Sequence, residues 1–259
     1  MEAGHTRGGP RRGFDMSPAS AGFPPEAVEW LVGRSPARLL ELGAGSGDLT
    51  SVLCALGHDV IATDPSPQLT AALRERAPTA RIAVALATDL PFAASSVDSI
   101  VATGGLGGLD PVRTLPDIAR VLGQRGVLAV IRRSGDSKVP WVRKLLGLVG
   151  VGWEPPPEDP FESSEVVTLL DQRSFRQWQR FDRATLVGFV SASRKAATLS
   201  PAERNDLLAE AGALYDSYGR GPDALLMPWL VTCHRGRVKG TAGVVTGQAT
   251  DDGLLIDFN

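Results

Sequence analysis

The chain is poor in the residues on which several large classes of protein depend. Two cysteines in 259 residues, Cys54 and Cys233, both in apolar segments, make no disulfide framework. Three scattered histidines, His5, His58 and His234, give no metal-ligand spacing. No apolar run reaches the ~20 residues that cross a bilayer. The formal net charge is −2, and no basic cluster is interleaved with aromatics. Composition therefore offers no general attraction to nucleic acid or to an acidic membrane surface. The first residues are Gly-, Arg- and Pro-rich without an apolar centre, which excludes a signal peptide and makes a cytoplasmic location the default expectation. A hydrophobic content of 43% is that of an ordinary globular chain, long enough for one large core or a core with an appended subdomain.

What the chain does have is concentrated in Leu39-Leu40-Glu41-Leu42-Gly43-Ala44-Gly45-Ser46-Gly47-Asp48-Leu49-Thr50. An apolar run ends in an acid, three glycines alternate with small residues, and an apolar-periodic segment follows. This is the pattern of a strand, a tight loop and a helix N-terminus whose backbone a ligand can touch. About twenty residues on, Val60-Ile61-Ala62-Thr63 reads as a second strand ending in Asp64 and Pro65. A carboxylate there suits a ribose diol, because both hydroxyls can donate to its two oxygens. The chain is thus expected to hold a nucleoside-containing cofactor. The dinucleotide fingerprint G-x-G-x-x-G, started at Gly43, would place its third glycine at Asp48, and no Lys follows for a P-loop.

The form E-x-G-x-G-x-G resembles motif I of the class I S-adenosylmethionine-dependent methyltransferases. The resemblance implies that Gly43, Ala44, Gly45 and Gly47 pack against the methionine part of S-adenosyl-L-methionine. It further implies that Glu41 organises contacts to the amino group and that Asp64 binds the ribose. The stretch Asp89-Leu90-Pro91-Phe92, followed by Ser95-Ser96-Val97-Asp98-Ser99-Ile100-Val101, is similar to the family's loop into its fourth strand. Phe23–Leu31, Val139–Val142 and Asp182–Gly188 look like a bacterial small-molecule branch similar to trans-aconitate methyltransferase.

Along the chain, residues 1–23 are expected to be disordered, 24–237 to form the methyltransferase domain and 238–259 a flexible tail. Within the domain, 24–135 is the cofactor-binding half and 136–237 the acceptor side. A short helix covers Pro24–Val32. Strands are expected at Ala37–Leu42, Val60–Thr63, Arg81–Leu86, up to Thr103, and Gly126–Ile131. Helices are expected at Asp48–Leu56, Ser66–Ala77 and Pro111–Leu122. Such alternation implies right-handed crossovers and a mostly parallel sheet buried on both faces, α/β and Rossmann-like. Ligands in such sheets sit beyond the carboxyl ends of the strands, where Glu41, Asp64, Leu86, Thr103 and Arg132 fall. Farther on come a helix at Lys138–Val151, a Pro-rich break at Pro155–Pro157 and strand-like alternation over Arg173–Arg180. Two helices between Asp182 and Tyr218, the second opened by the capping box Ser200-Pro201-Ala202-Glu203, and a last strand at Leu225–His234 complete the chain. The resemblance implies seven strands, the last two an antiparallel edge pair with the helices inserted between them.

Three departures from the family pattern bear on function. Ala85-Leu86-Ala87-Thr88 stands where relatives often carry an acid for the adenine amino group, leaving adenine to backbone near Ala87 and to Leu86 and Leu90, with Asp89 as a substitute acid. Gly104–Asp110 replaces an aromatic and His-bearing segment, with Gly107 at the histidine position. Arg132-Arg133 stands where relatives often have Trp-Asn. Methyl transfer from a sulfonium is an in-line displacement, so the protein mainly positions donor and acceptor. A base is needed only for an acceptor that must lose a proton. The expectation is therefore a methyltransferase acting on a small, acidic acceptor oriented by Arg132 or Arg133. The alternatives are a binding or regulatory protein of the same fold with little turnover, and a dinucleotide oxidoreductase. His234 is a base only if the fold brings it to the cleft, and Trp141, Trp153, Trp178 and Trp229 are either pocket or core. The oligomeric state is not given by the sequence.

Overall fold

The computed structural model describes residues 22–104, 111–124, 126–151, 159–162, 164–219 and 225–239. The elements run α1 (Pro25–Val32), β1 (Arg38–Leu42), α2 (Asp48–Ala55), β2 (Asp59–Thr63), α3 (Pro67–Arg76), β3 (Arg81–Ala83), β4 (Ser99–Thr103) and α4 (Pro111–Leu122). They continue with β5 (Val127–Gly135), α5 (Pro140–Leu148), β6 (Val167–Phe181), α6 (Arg183–Ser191), α7 (Arg194–Thr198), α8 (Pro201–Tyr218) and β7 (Leu225–Val238). One seven-stranded sheet has the order β3-β2-β1-β4-β5-β7-β6. The first five strands are parallel, and β7 is antiparallel to both β5 and β6. The strand order reverses between β1 and β4, which opens a crevice at their carboxyl ends.

Strand alternation divides the core in two. Leu40, Leu42, Ile61, Ile100, Ala102, Leu128 and Val130 pack with Phe92 and with Leu115, Ile118, Val121 and Leu122 of α4. Leu39, Val101, Ala129, Ile131 and Val231 point the other way, against α1, α2 and Leu73 of α3. A third cluster joins α5, α6 and α8 to Met227 and Trp229 of β7. It sits on the α1 side, beyond the end of β5: a Cβ on Gly135 would meet Val142, Leu146 and Met227.

Four sequence expectations need correction. The third strand stops at Ala83 rather than Leu86, because its partner β2 ends at Thr63, opposite Ala83, and turns away. Beyond it Val84 and Leu86 are exposed. The strand foreseen at Arg173–Arg180 spans Val167–Phe181, its first half hidden by a register shift between Leu169 and Asp171 that breaks the alternation. The insert before β7 holds three helices, since Ser193 caps the short α7. The helix foreseen at Lys138–Val151 is confined to Pro140–Leu148. Of the terminal segments, 1–21 and 240–259 lie outside the described residues, but Phe23 is buried against α1's core and β7 runs to Val238. Pro155–Pro157 and Trp153 also lie outside them.

The loop after β3 is held to α4. Asp117 accepts from the Leu90 amide at 2.6 Å, while Arg120 donates to the Leu90 and Phe92 carbonyls. Phe92 is fully buried beside them. Phe92→Ala is expected to cost about 3–5 kcal/mol, the usual range for emptying a phenyl from a packed core, measured as a lower urea midpoint with an unchanged slope.

Candidate functional site

The crevice between β1 and β4 is organised by one buried acid. Glu41 ends β1 on the α2 face and has no exposed surface. Its carboxylate accepts from Thr50 Oγ1 at 2.6 Å and from Thr103 Oγ1 at 3.0 Å, so it ties β1 to α2 and to β4 at once. Burial pushes its pKa up to about 7; the two hydroxyls oppose that shift, and the charges of Asp48 and Asp64 add to it. Thr103 is the partly exposed member of the set. Glu41 therefore reaches the crevice through Thr103 and through its charge, rather than with its own oxygens.

Asp64 is also buried, and it clamps the glycine loop. Its Oδ2 accepts from the Gly45 amide at 3.0 Å and its Oδ1 from Ser66 N at 2.8 Å. The Ala44 amide donates to the Thr63 carbonyl at 3.0 Å, so the loop rests along the end of β2. Each carboxylate oxygen of Asp64 keeps a second lone pair for a further donor. Gly45 has φ +57° and a Cβ there would enter open space, whereas Gly47 has φ +90° and a Cβ there would lie 2.6 Å from Leu73 Cδ1. Gly45 thus leaves room for a ligand, and Gly47 makes room for the protein's own α3. Gly43 completes the loop against the Thr103 carbonyl.

The two residues foreseen near adenine divide. Leu86 is 59% exposed, in a short turn where the Asp89 amide donates to its carbonyl, and Pro65, two residues past the end of β2, is exposed. Ala87 is partly buried against the α4-side core. Leu90, foreseen as a second apolar contact, is 3% exposed and belongs to that core, so only Leu86 presents a surface.

Consecutive strand residues point to opposite faces, and this separates the two arginines. Arg133 shares the face of Ile131 and so of Glu41 and Thr103; Arg132 lies on the opposite face. Arg133 stacks on the Trp229 ring, with its guanidinium carbon 4.6 Å from the centroid, and lies 5.7 Å from that of Phe23. Its Nη1 is buried without a hydrogen-bond partner. Burial lowers its pKa and the charge of Asp48, at the start of α2, raises it; an arginine stays cationic under either influence. Arg133 therefore stands at the seam between the glycine-loop side and the α5–α6–α8 cluster. Sequence reasoning named both arginines, and the strand's two-residue period was the signal that tells them apart. Phe23 and Gln177, which flank the same region, were not foreseen.

His234 pairs with Val130 and faces the α4 side, away from the crevice, so it is no base for it. His58 is buried below β2. Trp141 is core, Trp178 is exposed, and Trp229 is a buried wall whose indole N–H donates to Gln179 at 2.8 Å. Gly107 lies outside the described residues. Among the described residues, no group of three His, Cys, Asp or Glu could hold a metal ion, and no helix is long and apolar enough to cross a membrane.

Residues 40–130, which carry the glycine loop, Asp64, Thr103 and the start of β5, match the family model described as "Methyltransferase domain". An uncharacterized methyltransferase of Mycobacterium tuberculosis is 32% identical over 221 residues, covering 82% of this chain and 88% of that protein. A demethylmenaquinone methyltransferase of Beutenbergia cavernae is 34% identical over 115 residues, 44% of this chain and 47% of that protein. Among solved structures, a protein from Anaeromyxobacter dehalogenans described as a type II methyltransferase superposes with a TM-score of 0.62 at 23% identity, over 83% of this chain and 97% of that one. The chain belongs to the methyltransferase family, and its α/β sheet is the Rossmann-like fold of those structures.

Two outcomes follow for the site. The folded state holds the Glu41 proton to about pH 7, against 4.5 for a free glutamate side chain. Between those pH values it binds more protons than the unfolded chain, so unfolding free energy falls as pH rises through that window. Glu41→Gln is expected to flatten this slope and to raise stability at pH 8 by up to about 3 kcal/mol, read by urea unfolding at pH 5 and pH 8. A variant less stable than wild type at pH 8 contradicts it. Gly45→Ala is expected to lose only about 1–2 kcal/mol, the cost of the left-handed backbone. Gly47→Ala pays that cost and also displaces Leu73, and so falls further in the same assay.

Proposed function

We propose that the protein transfers a methyl group from S-adenosyl-L-methionine to a small acceptor bearing an anionic group. The observation that carries this reading is the conjunction, on one face of the sheet, of an open glycine turn, two buried carboxylates and a buried cation with an unused donor. The residues present fit the cofactor. Gly43, Ala44, Gly45 and Gly47 offer backbone to its methionine end, with the carboxylate of Glu41 and the hydroxyl of Thr103 opposite its ammonium. Asp64 has lone pairs left for the ribose hydroxyls, and Pro65, Leu86 and Ala87 border the place for adenine. Bound there, the cofactor supplies an electrophilic methyl on a positively charged sulfur.

The chain's own work is positional. The glycine loop, locked by Asp64 and by the Ala44–Thr63 hydrogen bond, fixes the donor's location. Arg133 fixes the acceptor by charge, in a site walled by Trp229 and Phe23, where a charge-assisted pair is stronger than in water. An anionic oxygen acceptor has no proton to lose, which accords with the positions of the two described histidines away from the crevice, His58 before the start of β2 and His234 on the α4 side. Arg132, on the far face, has no part in it. The small-molecule branch similar to trans-aconitate methyltransferase remains part of the proposal, resting on the short segments noted in the sequence. No carboxylate stands between Val84 and Thr88, so adenine is held by shape and backbone. A fold that binds cofactor without turnover is the alternative to this reading.

Calorimetry with S-adenosylmethionine, S-adenosylhomocysteine and NAD is expected to show micromolar binding of the first two and none of the third. With methyl-labelled donor and a cell extract, label is expected in the anionic small-molecule fraction. Arg133→Gln is expected to lower that incorporation by at least about tenfold, the scale of one lost charged hydrogen bond, with cofactor affinity unchanged. Arg132→Gln is expected to leave it intact. Cofactor binding without any label transfer supports the alternative, and loss of cofactor affinity in Arg133→Gln assigns the arginine to the cofactor's own carboxylate instead.

A further inference from the structure

The two faces of the sheet are unequally covered beyond β5. On the α1 side, β6 and β7 carry the α5–α6–α8 cluster. On the other side α4 packs on β4 and the first half of β5, and Phe161 closes over Val167 and Gly236. The far ends of β6 and β7 turn six residues to that second side, and none of them belongs to a core cluster. They are Arg176, Trp178 and Arg180 on β6, opposite Leu230, Pro228 and Leu226 on β7. Trp178 is 40% and Leu226 43% exposed. Among the described residues Arg180 makes no ion pair, and Arg176 reaches only Asp136, at 3.8 Å. Arg132, on the neighbouring β5, adds a third guanidinium to the same face. The strip is an exposed indole and an aliphatic side chain framed by cations.

The chain carries a complement to this strip. β7 ends at Val238, paired with Val167. Lys239 is fixed at the start of β6, where its amide donates to the Val166 carbonyl at 2.7 Å and its Nζ to the Ser164 carbonyl at 2.8 Å. The sequence that follows has two parts. Residues 240–250 hold three glycines and no charge. Residues 251–259 hold Asp251, Asp252 and Asp257, no basic residue, and the large apolar side chains of Leu254, Leu255, Ile256 and Phe258. The lengths match as well as the charges. From Val238 back to Pro228 is ten residues of strand, roughly 33 Å. From Lys239 to Leu254 is fifteen residues, which extend to roughly 50 Å. The uncharged spacer is thus long enough to run the length of the hairpin and deliver the acidic, apolar end to the strip.

We propose that residues 251–259 dock on the strip formed by Arg176, Trp178, Arg180 and Leu226 of the same molecule. Their apolar side chains cover Trp178 and Leu226, and their aspartates pair with Arg180 and Arg176. Opposite charge sets the orientation, and apolar burial supplies the driving force. Pro228 and Leu230, the neighbours of Trp229 in β7, lie in the same strip. The docked segment therefore braces the strand that carries the Trp229 wall from its opposite face.

The test is the fluorescence of Trp178 in the 259-residue chain and in one ending at Thr250, each measured with and without Trp178→Phe so that the difference isolates this indole. Removing 251–259 is expected to shift the Trp178 emission to the red and to remove its protection from acrylamide, with far-ultraviolet circular dichroism unchanged. Arg176→Glu combined with Arg180→Glu in the full chain is expected to do the same. Adding Asp251→Lys, Asp252→Lys and Asp257→Lys to that double variant is expected to restore the protection. The charge-reversal variants decide the matter if the shortened chain does not keep its circular dichroism. Identical Trp178 emission and quenching in the full and shortened chains overturn the proposal, and so does a loss of protection that the reversed aspartates fail to restore. Protection that falls away on dilution, with a dimer in light scattering at high concentration, places the segment on a second copy and overturns docking within one molecule.

Discussion

The structure depends on burying one carboxylate where the sheet changes direction. Glu41 sits near the end of β1, between Thr50 of α2 and Thr103 of β4, and it is sealed from solvent. Two threonine hydroxyls, one from each neighbouring element, are its compensation. Hydrogen bonds to a buried acid recover part of its lost hydration, but not all, which is why the carboxyl holds its proton up to about pH 7. A fold stabilised for its own sake would place a neutral residue there. The charge is intelligible as a field directed at something positive that arrives from outside, and the crevice above it is where a cationic ligand group would feel that field.

Around this acid, each neighbouring group does two things at once. Asp64 closes the glycine loop onto the start of α3 and keeps lone pairs for another donor. Thr103 holds Glu41 and faces the crevice. The three glycines are not equivalent: the left-handed turn at Gly45 opens onto free space, while Gly47 yields to the side chain of Leu73. Half of the motif therefore serves ligand access and half serves the packing of α3 against α2. Such sharing ties the shape of the site to the stability of the first βα unit.

The first half of the chain was legible from its residues because its elements are short, regular and punctuated. Ser66-Pro67 caps α3 as its sequence announces, and Ser200 with Glu203 does the same for α8. What could not be read was set by partners distant in sequence. The strand at Arg81 ends early because β2 has no residue left to pair with Val84. The long β6 was half hidden because its register shifts at Leu169, and a two-residue pattern interrupted by a bulge no longer looks like a strand. Glu41, Asp64 and the loop glycines could be named because motif and strand end coincide. The burial of Leu90 on the α4 side, the place of Phe23 and that of Gln177 depend on contacts across the sheet, which local pattern does not encode.

The pair Arg132-Arg133 shows how a sheet turns adjacent residues into different functions. Both follow the apolar run of β5, and nothing in composition distinguishes them. The alternation of the strand sends Arg132 to the α4 side and Arg133 to the side of Glu41 and Thr103. There, the antiparallel return of β7 places Trp229 against it, and the β6 edge brings Gln177 beside that tryptophan. An arginine stacked on an indole has little freedom to seek solvent, and its Nη1 stays buried without a hydrogen-bond partner. Opposite signs thus stand at the two ends of this surface, Glu41 under the loop on β1 and Arg133 at the seam on β5, with β4 between them. In the proposed reading a cationic donor is drawn to one end and an anionic acceptor to the other.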